Sequence, residues 1–82
     1  MNIYCANLSY KHRDEDLASI FSEYGEVVSA KIILDRESNR SRGFGFVEMG
    51  SDEDAKKAIA ELNGKEIDGR ALVVNEARQR NS

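Results

Sequence analysis

Residues 42–49 read Arg42-Gly43-Phe44-Gly45-Phe46-Val47-Glu48-Met49, and their alternation constrains the fold more than any other stretch of the chain. In a β-strand successive side chains point to opposite faces, so Phe44 and Phe46 share one face while Gly45, Val47 and Met49 share the other. The second set suits a core. The first leaves two phenylalanines on an open surface, which is costly unless flat, apolar partners such as unstacked bases come to cover them. The octamer therefore predicts a sheet with one covered and one open face, and it points to single-stranded nucleic acid.

The octamer follows the pattern basic-Gly-aromatic-Gly-aromatic-Val-x-aromatic through its seventh position, with Met49 in place of the last aromatic, on the side that faces the core. A second segment, Ile3-Tyr4-Cys5-Ala6-Asn7-Leu8, fits the shorter hexamer that accompanies this pattern, with Tyr4 outward and Ile3 and Cys5 inward. Through these two linked motifs the chain resembles the RNA recognition motif family over nearly its whole length. The resemblance implies an α+β, ferredoxin-like two-layer sandwich of order β-α-β-β-α-β. Its four-stranded antiparallel sheet would carry two helices on one face, run in the order 4-1-3-2, and hold the two motif strands side by side at its centre. It further implies that Tyr4 and Phe44 offer their rings to successive bases and that Phe46 packs against the sugars between them. In form the chain is similar to the small single-domain RNA-binding proteins of bacteria and to the RNA-binding half of glycine-rich RNA-binding proteins.

The local patterns agree with that order. Residues 2–7 read as a strand, and residues 13–24 as a helix with Leu17, Ile20, Phe21 and Tyr24 at helical spacing. Asp14, Glu15 and Asp16 favour its start through the helix dipole, and Gly25 is placed to end it as a C′ residue. Residues 27–34 are β-branched and apolar, a second strand, followed by a polar loop over 35–41 in which Asn39 takes a left-handed turn position. Ser51 and Asp54 form a variant capping box before a second helix whose buried stripe is Ala55, Ala58, Ile59 and Leu62. Asn63-Gly64 stops that helix, Asp68-Gly69 is a hairpin-type turn, and residues 72–76 form the last strand. The domain is expected over residues 1–78, with 79–82 a short polar tail.

At 82 residues there is room for one small domain and one core. No apolar run approaches the ~20 residues that span a bilayer, and the chain enters a strand without a signal-like segment, so a cytoplasmic, monomeric protein is expected. The lone Cys5 can form neither an internal disulfide nor a multi-thiolate metal site, and its inward position suits a buried thiol. No cofactor or metal is expected.

The net charge of -3 is the main objection to nucleic-acid binding, and the charge distribution answers it. Lys31, Arg36, Arg40 and Arg42 concentrate around the middle strands and their loop, against Asp35 and Glu37. The helices hold Asp14, Glu15, Asp16, Glu23, Asp52, Glu53, Asp54 and Glu61. If the two layers lie on opposite sides, the acidic layer faces away from the ligand.

The expected RNA-binding set is therefore Tyr4, Phe44 and Phe46 with Asn2 and Glu48 on the motif strands, Arg42 ahead of them, Lys31 and Asn75 on the flanking strands, and Arg78 and Arg80 beyond the last strand. Arg42 is suited to grip a phosphate, Lys31 and Asn75 to hydrogen-bond base edges, and Glu48 to meet a base amino group or a basic side chain. The partner is single-stranded RNA, with single-stranded DNA left open because stacking does not sense the 2′-hydroxyl. Post-transcriptional regulation is the expected role.

An enzyme fits the sequence poorly. Gly43-Phe44-Gly45 lacks the third glycine of a dinucleotide fingerprint, since Glu48 stands there, and the sole histidine, His12, reads as an ordinary surface residue. The rival reading is a protein-interaction module that uses the sheet or the acidic helical face.

Overall fold

The computed structural model of the chain describes residues 2–77. Eight elements follow in order: β1 (Asn2–Ala6), α1 (Asp14–Ser22), β2 (Val27–Leu34), β3 (Ser41–Met49), α2 (Asp52–Leu62), β4 (Glu66–Ile67), β5 (Arg70–Ala71) and β6 (Val73–Ala77). Four strands form one antiparallel sheet in the order β2-β3-β1-β6, and β4 and β5 make a separate two-stranded hairpin. The fold is the ferredoxin-like α+β sandwich, with the two motif strands β1 and β3 adjacent at the centre.

The core lies between the sheet and the helices. Ile3 and Cys5 of β1, Val47 and Met49 of β3, Ile32 of β2 and Val74 of β6 meet Leu17 and Phe21 of α1 and Ala55, Ala58 and Leu62 of α2, all buried. Those positions alternate along β1 and β3 and recur at helical spacing along each helix, so one face of each of these four elements is spent on the core. Gly45 sits where the layers come closest. A Cβ there would lie 2.5 Å from the Lys31 carbonyl oxygen and 3.0 Å from Leu17 Cδ2, so only glycine lets β2 and α1 pack over this point of β3.

The helix ends show where local chemistry overrides periodicity. Helix α1 stops at Ser22, with Glu23 as its cap, before Tyr24 is reached. Gly25 is not a left-handed C′ residue; its positive φ is absent from the backbone, and a Cβ there would fall within 2.4 Å of Asp54 Oδ2. The glycine is required by the close approach of α2, not by a turn. At the start of α1 the Arg13 N–H donates to Asp16 Oδ2 at 2.9 Å, and at the start of α2 Asp54 N–H donates to Ser51 Oγ at 3.4 Å.

On each edge strand one backbone donor is taken up by a side chain. Ile32 N–H on β2 donates to Asp14 Oδ1 at 2.7 Å, and Val74 N–H on β6 donates to Asn63 Oδ1 at 3.1 Å. Occupied edge groups cannot template pairing with another chain. The hairpin turn forms as the Asp68-Gly69 pair predicts, with φ of 53° and 78°, and it organises two short strands, β4 and β5, that alternation alone does not reveal. Asn39 takes the left-handed conformation, with φ 57°.

Candidate nucleic-acid interface

The cross-strand register sorts the open face into rows. Asn75, Tyr4, Phe46 and Lys31 stand side by side across β6, β1, β3 and β2. On one side of this row lie Ala77, Asn2, Glu48 and Ser29; on the other lie Val73, Ala6 and Phe44. Directly opposed residues of an antiparallel pair point to the same face, so seven of the ten expected positions can be assigned from the register. Tyr4, Phe44, Phe46, Lys31, Asn2, Glu48 and Asn75 share the open face. Arg42 lies at the start of β3, exposed; the left-handed Gly43 (φ 81°) breaks the alternation before Phe44, and Arg42 lines one cleft with Tyr4 and Phe44. Arg78 and Arg80 lie outside the described residues.

Three rings occupy the centre of this face. Centroid separations are 5.9 Å for Tyr4–Phe44, 5.7 Å for Tyr4–Phe46 and 6.3 Å for Phe44–Phe46, the last pair edge-to-face. These are favoured aromatic geometries, so the rings support one another while keeping surface available. Phe46 is exposed, whereas Phe44 and Tyr4 are half-buried. The expectation that both phenylalanines lie exposed on the open face holds for Phe46, whereas mutual packing covers part of Phe44.

The flanking positions are less uniform than alternation suggests. Lys31 is exposed beside Phe46, but the register of β2 shifts between Ile32 and Leu34, so Ile33 is half-buried while Leu34 is exposed. In the β2–β3 loop the Asp35 carboxylate accepts the Glu37 and Ser38 N–H groups at 2.8 and 3.3 Å. Those bonds hold its pKa below the ordinary carboxylate value, with a smaller contribution from Arg42. The acidic first turns of both helices belong to the opposite layer, as the charge pattern requires. Cys5 is buried, and burial pushes its thiol pKa up to about 12.

One reading needs reversal. His12 is no ordinary surface residue: its side chain is 9% exposed, and Nε2 lies 3.0 Å from Asp68 Oδ2 in the hairpin turn. Two further residues escaped sequence reasoning. Tyr10 in the loop after β1 is 68% exposed, and the guanidinium of Arg70 on β5 lies 5.5 Å from its ring centroid. The available signal was an isolated aromatic just past a motif strand, together with an arginine immediately after a turn dipeptide.

A sheet with an aromatic centre and a helix-covered back defines a class of small binding modules, and sequence comparison agrees. Residues 3–73 match the model of the RNA recognition motif. The chain belongs to that family. It is 51% identical over 79 residues to glycine-rich RNA-binding protein 8 of Arabidopsis thaliana, covering 96% of this chain and 47% of that protein. It is also 51% identical over 80 residues to RbpB of a Nostoc species, covering 98% of this chain and 78% of the relative. The chain thus spans about half the length of the plant relative and most of the bacterial one. Among solved structures it superposes on the RNA binding protein PG1 with a TM-score of 0.94 and 54% identity, covering 100% and 99% of the two chains. A complex of the Sex-lethal protein with RNA gives a TM-score of 0.87 at 36% identity, covering 93% of this chain and 47% of the other.

Proposed function

We propose that the protein binds single-stranded RNA on its open sheet face, as a monomer in the cytoplasm, in post-transcriptional regulation. Tyr4 and Phe44 take stacked bases, Phe46 packs against the intervening sugars, and Arg42 meets a phosphate. Lys31 and Asn75, at the two ends of the row that holds Tyr4 and Phe46, are placed to read base edges. The observation that carries this reading is the three-ring cluster on a sheet face that neither helix covers. Support also comes from family membership and from relatives named for RNA binding. Base stacking contributes ~1–3 kcal/mol per base, so the two stacked bases supply ~2–6 kcal/mol, and roughly micromolar binding, about 8 kcal/mol, also draws on the phosphate, sugar and base-edge contacts.

Fluorescence anisotropy with a labelled random-sequence RNA of about ten nucleotides, beside its DNA equivalent, tests this directly. Saturable RNA binding that weakens at least about tenfold in the Phe44→Ala, Phe46→Ala double variant is the expected result. Equal binding by parent and double variant would refute the site. Absence of binding by folded parent would favour the alternative, a protein-interaction module whose acidic helical face holds a basic partner.

A further inference from the structure

Where β1 ends, the aromatic centre of the sheet runs into a second feature. An open cleft of about 290 Å³ passes from Tyr4 and Phe44 to Tyr10, Arg42 and Arg70. That volume is at the lower end of small-ligand pockets, ~300–1,000 Å³, and suits a single base rather than a larger ligand.

The far wall is built from two segments that are held together at three points. Asn7, with a left-handed φ of 61°, donates from Nδ2 to the Ala71 carbonyl at 2.8 Å. His12 Nε2 lies 3.0 Å from Asp68 Oδ2. Between these ties the Arg70 guanidinium lies 5.5 Å from the Tyr10 ring centroid. A tyrosine whose only role was to anchor the loop would be covered by that packing, yet Tyr10 remains 68% exposed. The wall therefore presents a positioned ring with free surface, and Arg42 and Arg70 supply cations on the same cleft. A ring for a base beside guanidinium groups for a phosphate is the chemistry of one nucleotide.

We propose that this cleft is a further nucleotide subsite, in which Tyr10 stacks on the base of a residue beyond those held by the sheet and Arg42 and Arg70 contact its phosphates. The inference rests on sheet-face RNA binding and extends the path of the strand past Phe44. Holding the wall in place before binding reduces the ordering cost that a flexible loop would add.

The test is a length series of labelled random-sequence single-stranded RNAs of about four, six and eight nucleotides, titrated against the parent and against Tyr10→Ser, Arg70→Gln and Tyr10→Phe. All four proteins are first shown to be folded by circular dichroism. The parent gains affinity with length, and Tyr10→Ser and Arg70→Gln lose at least about fivefold on the longest RNA while the shortest binds as before. Tyr10→Phe, which keeps the ring, retains the gain. Equal losses at every length would mean that Tyr10 and Arg70 only support the loop, and an unchanged length gain in Tyr10→Ser would place the added nucleotides elsewhere; either result overturns the subsite. Failure of the parent to bind even the shortest RNA would instead refute the sheet-face reading itself, and the subsite with it.

Discussion

Tyr4 stands directly opposite Phe46 across the β1–β3 ladder, with ring centroids 5.7 Å apart and planes tilted by 54°. Phe44, diagonal to Tyr4, completes the cluster, so each ring serves as both contact surface and support for its neighbours. The Phe44→Ala, Phe46→Ala variant, which breaks all three ring pairs, is therefore expected to stay folded but to lose stability of about 1.5–4.5 kcal/mol, since each aromatic pair contributes ~0.5–1.5 kcal/mol beyond area burial. Urea denaturation measures it. Stability equal to the parent's would mean that the rings do not pack together in solution.

On the inner side of the same strand, Gly45→Ala and Val47→Ala separate overpacking from cavity formation. Val47 is 1% exposed, and its truncation should cost roughly 1–3 kcal/mol through lost contacts. At Gly45 the added methyl meets the Lys31 backbone carbonyl at 2.5 Å, and backbone cannot swing aside. Its cost should exceed that of Val47→Ala, which paired thermal melts would check. A mild Gly45→Ala phenotype would show that α1 and β2 are less tightly apposed to β3 than described.

Strand facing and helix spacing made most of this architecture legible in the sequence. Alternation placed Tyr4, Phe44 and Phe46 on the open face, and the apolar spacing of Leu17 and Phe21 placed α1 on the other. What stayed hidden depends on contacts between segments distant in the chain. Gly25 reads locally as a helix stop, but its reason is Asp54, which α2 brings against it. Asp14 reads as a helix-start acid, while its second role is to accept the Ile32 N–H of the edge strand. His12 reads as a surface residue, and Tyr10 draws no reading at all, because only folding brings the Asp68-Gly69 hairpin, with Arg70 behind it, onto their loop. Adjacency of β1 and β3 likewise came from family resemblance, since periodicity carries no information on strand order.

The Cys5 thiol links the core to pH. Burial raises its pKa in the folded protein from 9.0 to about 12, so folded and unfolded chains bind the same proton below pH 9. As pH rises through 9 toward 12 the unfolded thiol ionises first, which favours unfolding, and the stability contributed by the buried thiol is lost. The parent should lose more stability over this alkaline range than Cys5→Ala, whatever their difference at neutral pH. Parallel losses in urea melts across the range would indicate that Cys5 is accessible.

Salt dependence reports how many phosphates are neutralised. With Arg42 and one or two further cations engaged, the log–log slope of affinity against salt should be about -1.4 to -2.1, at about -0.7 per phosphate on single strands. A slope several times steeper would demand a basic surface that the acidic helical layer does not provide.

The central claim is that RNA meets the open face of the sheet, and the most direct measurement is NMR chemical-shift mapping of labelled protein titrated with a short single-stranded RNA. The largest shifts are predicted for the rings of Tyr4, Phe44 and Phe46 and for the amides of Lys31 and Asn75, with the exposed faces of α1 and α2 undisturbed. Shifts concentrated on the helices, with the three rings unmoved, would contradict the account.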